Sequence, residues 1–171
     1  MSKITLIVGG VRSGKSNHAV ELAKESMKDV VFLATCQAYD DEMRQRINLH
    51  KQSRPSGWGL IEENLDLAGA ITKQDDSKIL LVDCLGLWMS NLLMQQYDEG
   101  RIKKEIDILI DSLKLIKCEI IFVSNEVGMG IVPESYLGRV FRDYLGLLNQ
   151  KIALIADEVI VMHVGIPLKI K

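Results

Sequence analysis

Short unbroken apolar runs alternate along the chain with longer segments whose apolar positions recur at i, i+3 and i+4. The runs are Ile4 to Val8, Val30 to Ala34, Ile79 to Val82 and Ile120 to Val123. A strand with one wet face alternates apolar and polar residues, so a run without a polar break is buried on both faces. Helical spacing covers Lys15 to Met27, Asp41 to Lys51, Leu85 to Gln96, Ile102 to Leu115 and the longer stretch Tyr136 to Ile155. This alternation predicts an α/β fold, a mostly parallel sheet flanked by helices. Near the C-terminus, Val159 to Met162 and Leu168 to Ile170 are separated by a Gly165-Ile166-Pro167 turn. That is too short for a helical crossover, so an antiparallel edge hairpin is predicted there. Gln52 to Asn64 reads as a loop over the sheet end.

One segment adds chemistry to this frame. Gly9-Gly10-Val11-Arg12-Ser13-Gly14-Lys15-Ser16 fits G-x-x-x-x-G-K-S and lies between a buried strand and a helix. Glycines let the backbone wrap so that successive N–H groups face phosphate oxygens, and the helix N-terminus adds its positive dipole end. Lys15 is then expected to reach the β- and γ-phosphates and Ser16 to hold Mg²⁺. A carboxylate at the end of a neighbouring strand is needed beside that metal. Asp83, closing the run Ile79-Leu80-Leu81-Val82, supplies it; the competing role for Asp83 is a helix N-cap. The fold class is therefore a P-loop NTPase-type α/β sheet with an antiparallel C-terminal hairpin.

Composition bounds the function. The chain has 171 residues, 47% hydrophobic and 26% charged, without linker or repeat, so one domain spanning 1–171 is expected. With 21 basic and 23 acidic residues the net charge is −2, which argues against nucleic acid as a partner. The three cysteines, Cys36, Cys84 and Cys118, are too scattered for a disulfide framework or zinc site. No apolar run approaches a membrane span, and Ile4 to Val8 is too short for a signal-peptide core. A cytoplasmic protein is expected.

His50 continues the inward stripe of Met43 and Ile47 on its predicted helix, with Arg46, Lys51 and Arg54 close by. Neighbouring cations favour neutral imidazole, a nucleophile, and would hold phosphates within reach. A histidine hydrogen-bonding the last carbonyls of its helix is the other reading, and spacing alone leaves both open. His18 and His163 are read as structural.

Three stretches together resemble one family. The first is the loop Gly9 to Ser16, in which Arg12 follows the glycine pair. The second is Ala34-Thr35-Cys36-Gln37-Ala38 with Asp40-Asp41-Glu42-Met43, Arg46-Ile47, His50 and Arg54-Pro55. The third, and most distinctive, is Ser124-Asn125-Glu126-Val127-Gly128-Met129-Gly130-Ile131-Val132-Pro133-Glu134, followed by Phe141-Arg142-Asp143 and Leu148-Asn149-Gln150. The chain is similar to the bifunctional adenosylcobinamide kinases / adenosylcobinamide-phosphate guanylyltransferases of cobalamin biosynthesis.

The resemblance implies two reactions. ATP or GTP phosphorylates the aminopropanol hydroxyl of adenosylcobinamide. A histidine then takes GMP from GTP, releasing pyrophosphate, and passes it to adenosylcobinamide phosphate. It places the nucleophile at His50 and Mg²⁺ at Ser16 and Asp83. It places nucleotide contacts at Gly9 to Ser16, at Ala34, Thr35 and Cys36, at Lys51, Gln52, Ser53 and Arg54, and at Glu62 and Asp83, with Glu62 as guanine reader. It also implies a homotrimer. Gly86 stands where the family often has Thr, and Leu49 where some members carry a second histidine. A plain P-loop small-molecule kinase and a non-catalytic nucleotide-binding switch are the alternative functions.

Overall fold

The computed structural model describes residues 2–37, 55 and 57–171. The predicted helix Asp41 to Lys51 lies outside the described residues, and so do Arg46, His50, Lys51, Gln52, Ser53 and Arg54. Seven strands form one sheet: β1 (Ile4–Gly9), β2 (Asp29–Ala34), β3 (Gly59–Glu62), β4 (Lys78–Asp83), β5 (Glu119–Asn125), β6 (Glu158–His163) and β7 (Ile166–Lys169). Their spatial order is β3-β2-β4-β5-β1-β6-β7, parallel throughout except for the antiparallel β6–β7 pair. The helices are α1 (Lys15–Glu25), α2 (Leu67–Thr72), α3 (Leu85–Met94), α4 (Glu99–Leu113) and α5 (Tyr136–Ile155).

The apolar runs divide by pleat, since successive side chains of a strand point to opposite faces. Leu6, Leu33, Leu80, Val82, Ile120 and Phe122 pack with Leu67, Trp88, Ile106 and Leu148 of α2, α3, α4 and α5. Ile7, Phe32, Leu81, Ile121 and Val123 pack on the opposite face with Ala19 and Ala23 of α1. Both faces are buried, so these strands need apolar residues at odd and even positions alike. Each fully buried Leu, Ile or Phe contributes about 1.5–3 kcal/mol.

Local chemistry sets several helix boundaries. Asp66 caps α2 by accepting from Gly69 N–H at 2.9 Å, Asp98 caps α4 by accepting from Arg101 N–H at 2.7 Å, and Ser135 caps α5 by accepting from Gly138 N–H at 3.1 Å. The Asp98 cap starts α4 at Glu99, ahead of the Ile102 that periodicity marks first. The helix α2 has no counterpart among the predicted segments.

Two corrections concern loops. Gln52 to Asn64 contains a strand, β3, which pairs with β2 from Val31↔Gly59 to Ala34↔Glu62. Three of its four residues are exposed, so as an edge strand it lacks the apolar run that betrays the others. The hairpin turn is Val164-Gly165, with Ile166 and Pro167 already in β7 opposite His163 and Met162. Both turn residues have positive φ, 46° and 85°, as a two-residue type I′ turn requires.

Val164 is β-branched, and left-handed backbone crowds its Cβ. Its side chain is 76% exposed, so replacement loses little packing. Val164→Asn is expected to stabilise the protein by about 1 kcal/mol, a rise in Tm of roughly 2–4 °C. A lower Tm in a thermal melt would contradict this account of the turn.

Candidate active site

The carboxyl ends of β1, β4 and β5 converge on one edge, where ligands bind in open α/β sheets. β1 ends at Gly9 and α1 begins at Lys15, so the phosphate loop stands where the sequence puts it. The loop turns through Arg12 (φ 54°) and Gly14 (φ 92°), both left-handed. Ser13 N–H donates to Gly10 O at 3.3 Å and His18 N–H to Gly14 O at 3.0 Å. Gly10, Val11 and Arg12 face solvent, whereas Ser13 and Lys15 are each 7% exposed. The Lys15 ammonium donates to Gly10 O at 2.6 Å, closing the loop on itself. Burial lowers the Lys15 pKa, while Cys84 and Asp83 pull it back up.

Two further elements hold this loop. Glu126 N–H donates to Gly9 O at 3.0 Å, and Gly165 N–H of the hairpin turn donates to Ser13 O at 3.1 Å. A Cβ on Gly9 would lie 2.4 Å from Met162 O of β6, so this first glycine is needed for close packing. The hairpin's contact with the loop was not expected from the sequence, because nothing local links residue 13 to residue 165.

Asp83 ends β4, but β5 lies between β4 and β1. The expected neighbouring strand is thus the next but one, placing Asp83 about 10 Å across the sheet from β1. Strand order is a property of the crossovers, which the sequence leaves open. By the pleat, Asp83 follows Ile79 and Leu81 onto the face covered by α1, the helix that carries Ser16. Its Oδ2 is shielded from solvent. The Asp83–Cys84 peptide bond is cis. Neither α1 nor α3, the helices that start beside the loop and beside Asp83, has a side-chain N-cap; α2, α4 and α5 all do.

The Ala34–Cys36 segment divides. Thr35 is fully buried; its hydroxyl donates to Cys84 O at 2.7 Å and accepts from Cys84 N–H at 3.0 Å. Asn91 Nδ2 donates to Thr35 O at 2.7 Å and to Asn64 O at 3.0 Å. Thr35 therefore ties β2 to the start of α3, and Ala34 is buried beside it. Cys36 is half-buried, its thiol pKa raised by burial and by Asp83. Glu62 is level with Ala34 at the end of β3, four strands or about 19 Å from β1. Gly86 lies in the first turn of α3, and a Cβ there would meet Asn125 Nδ2 at 3.1 Å. The space beside a residue 86 side chain is taken by that amide.

Among the described residues no group of three or more His, Cys, Asp or Glu gathers at one point. A hydroxyl and one carboxylate beside a phosphate site are hard oxygen donors, and Mg²⁺ takes few protein ligands when phosphates complete its shell. Ser16 and Asp83 fit that ion.

After β5, Gly128 N–H donates to Glu126 Oε1 at 2.5 Å, so the Glu126 carboxylate shapes its own loop. The loop's far end is held by Arg139, whose Nη1 donates to Pro133 O at 3.2 Å and Glu134 O at 2.6 Å. Glu99 receives the hydroxyls of Tyr136 at 2.9 Å and Tyr144 at 2.6 Å. These two bonds fasten the first half of α5 to the start of α4.

Comparison with known proteins decides the family. The family described as cobinamide kinase / cobinamide phosphate guanyltransferase matches residues 5–170. The chain belongs to this family. It is 42% identical to the bifunctional adenosylcobalamin biosynthesis protein CobP of Pseudomonas aeruginosa, covering 97% of this chain and 96% of that protein. It is 42% identical to the corresponding CobU of Salmonella typhimurium, covering 97% and 98%, and 40% identical to that of Escherichia coli with the same coverage. Among solved structures it resembles a type III secretion ATPase (TM-score 0.58, 12% identity, 99% of this chain and 58% of that one). It also resembles the RadB recombinase (TM-score 0.52, 14% identity, 93% and 73%). These two likenesses concern the fold, the P-loop NTPase architecture expected from the sequence. Among the described residues no helix is long and apolar enough to cross a membrane.

Two predictions follow from the geometry of this family member. Gly9→Ala forces β1 and β6 apart, with an expected cost of about 1–3 kcal/mol and loss of nucleotide binding; unchanged titration and melting curves would contradict the close-packing role. The second concerns pH. Hydroxyls from Tyr144 and Tyr136 hold the Glu99 carboxyl below its ordinary value of 4.5. Burial and the Glu99 carboxylate push the Tyr144 hydroxyl up to about 12. The carboxylate's contribution is present above pH 4.5 and lost as pH falls through the lower native value; the tyrosine's is present below pH 10 and lost on the way to pH 12. Glu99→Gln should flatten the acid limb of a stability–pH curve, and an acid limb as steep as the wild type's would count against the pairing.

Proposed function

We propose that this chain carries both activities in its family's description: phosphorylation of adenosylcobinamide by ATP or GTP, then transfer of GMP from GTP to the phosphorylated product. The observation that carries the reading is the phosphate loop with Lys15 at its centre, in a chain the family matches almost end to end. In the first reaction the loop N–H groups and Lys15 bind and orient the phosphates, Lys15 exchanging Gly10 O for phosphate oxygen. The acceptor hydroxyl attacks the terminal phosphorus as the bond to the nucleoside diphosphate breaks. Mg²⁺ when bound supplies charge neutralisation, with Ser16 Oγ and Asp83 the groups that would hold it.

In the second reaction His50 attacks the α-phosphorus of GTP: a P–N bond forms and the bond to pyrophosphate breaks. A phosphate oxygen of the acceptor then displaces the imidazole, regenerating His50. Dividing the transfer into two displacements is the gain of a covalent intermediate. His50 and Lys51 to Arg54 enter on the family resemblance, since they lie outside the described residues. Glu62 is proposed to read guanine, its carboxylate accepting from the ring N1–H and the exocyclic amine. Cys36, half-buried two residues beyond the end of β2, is proposed as a further nucleotide contact. The homotrimer belongs to the same proposal; Ile166, Leu168 and Ile170, all exposed along the edge strand, support a protein–protein contact.

The test is labelling. With Mg²⁺ and α-³²P-labelled GTP the protein is expected to form an acid-labile, base-stable adduct, and His50→Ala to abolish it while retaining adenosylcobinamide phosphorylation. Phosphorylation without any adduct in the wild type would indicate a plain small-molecule kinase. Nucleotide binding without either transfer would indicate a switch.

A further inference from the structure

We propose that the side-chain amide of Asn125 binds the terminal phosphoryl group of the nucleotide in the phosphate loop, and that Asn149 is the positioning residue that holds it there. The inference rests on reading Gly9 to Ser16 as the nucleotide site. Four observations lead to it.

Asn125 is the last residue of β5 and the register partner of Gly9, where β1 passes into the loop. β5 lies between β1 and β4, so Asn125 stands between the loop and the strand that ends in Asp83. The pleat then fixes its side. Ile121 and Val123 face α1, and Asn125 follows them at the same period, onto the face shared by Lys15, Ser16 and Asp83.

Asn125 is half-buried, and its side chain makes no hydrogen bond among the described residues. Its Nδ2 lies 3.1 Å from where a Gly86 Cβ would stand, and that same Cβ would be 3.8 Å from Cys84 Sγ. The donor thus reaches across from β5 toward the Asp83–Cys84 corner.

The backbone behind it is held with unusual care. Asn149 of α5 uses both ends of its amide on the last two residues of β5: its Oδ1 accepts from Ser124 Oγ at 2.6 Å and its Nδ2 donates to Asn125 O at 3.0 Å. Ser124 is fully buried and Asn149 is 9% exposed. Glu126 N–H is bonded to Gly9 O in the next step along the chain. A polar clamp in an otherwise apolar interface fixes where the Asn125 side chain begins, on the opposite face from the clamp itself.

A fixed neutral donor at this place suits the terminal phosphoryl, whose equatorial oxygens carry charge in the transition state. Its contact is with a group that ATP has and ADP lacks, which makes the proposal separable from general folding defects. Calorimetric titrations with Mg²⁺-ADP and with the Mg²⁺ complex of the β,γ-imido ATP analogue, together with steady-state phosphorylation of adenosylcobinamide, read it out. Asn125→Ala is expected to weaken the analogue about tenfold or more while leaving ADP within about twofold, and to lower kcat by about 10- to 100-fold. Asn125→Asp, which substitutes an anion for the donor, is expected to fall further.

Asn149→Asp keeps the acceptor for Ser124 and removes the donor to Asn125, so a smaller loss in the same direction is expected. The double variant N125A/N149D should be no worse than N125A, since the clamp acts through the amide. If N149D fails to fold, Ser124→Ala opens the other half of the clamp and is held to the same expectation. Equal weakening of ADP and analogue, an unchanged kcat in N125A, or additive losses in the double variant would each overturn the proposal. A wild-type protein that binds neither nucleotide would instead overturn the underlying reading of the loop.

Discussion

A loop that presents its N–H groups to a ligand cannot use them to hold itself, and the rest of the molecule is arranged around that constraint. The stretch from Gly9 to Ser16 has few bonds of its own. Three contacts from outside its backbone compensate: Glu126 on Gly9 O, Gly165 on Ser13 O and the Lys15 ammonium on Gly10 O. The first two come from segments more than a hundred residues distant. β5 and β6 flank β1 so that their ends can reach the loop, and Gly9 lacks a side chain so that β6 can come close. The third contact is different in kind, because a charged side chain rather than a backbone N–H makes it.

The layers behind the loop divide the labour. The helices α2 to α5 cover one face with the larger apolar cluster, and α1 packs on the other with small residues, Ala19 and Ala23. Buried polar side chains fix two of the strand ends: Thr35 with Cys84 at β2 and β4, Asn149 with Ser124 and Asn125 at β5. Thr35 bonds the N–H and the carbonyl of Cys84, and Asn149 bonds the Ser124 hydroxyl and the Asn125 carbonyl, which satisfies the buried donors and acceptors. The carboxyl edge of the sheet is therefore held by hydrogen bonds, and its centre by apolar packing.

Several elements were plain in the amino-acid order. The four central strands were legible because burial on both faces leaves them almost wholly apolar, Thr5 of β1 excepted, and α5 because its apolar stripe runs from Tyr136 to Ile155. The strand β3 was not legible: an edge strand gains its backbone bonds from β2 and needs little apolar surface. The hairpin turn begins one residue and ends two residues earlier than glycine and proline indicate, because Val164 adopts a backbone unusual for its type. For the site, the phosphate loop and Asp83 were visible as local patterns. The role of Thr35 within the scaffold and the clamp on Asn125 were not, since both depend on residues that are distant in the chain.

What the sequence determined by itself is what neighbouring residues decide together: a strand, a loop of glycines, a helix start and an acid after four apolar positions. The physical reason is that backbone conformation and helical or strand periodicity act over a few residues. Tertiary structure alone decided that β5 enters between β1 and β4, that a C-terminal turn meets Ser13, and that Asn125 faces the same side as Lys15. Those follow from which strands pair and in what register. Pairing is settled by the packing of the whole sheet, so no single segment of the chain records it.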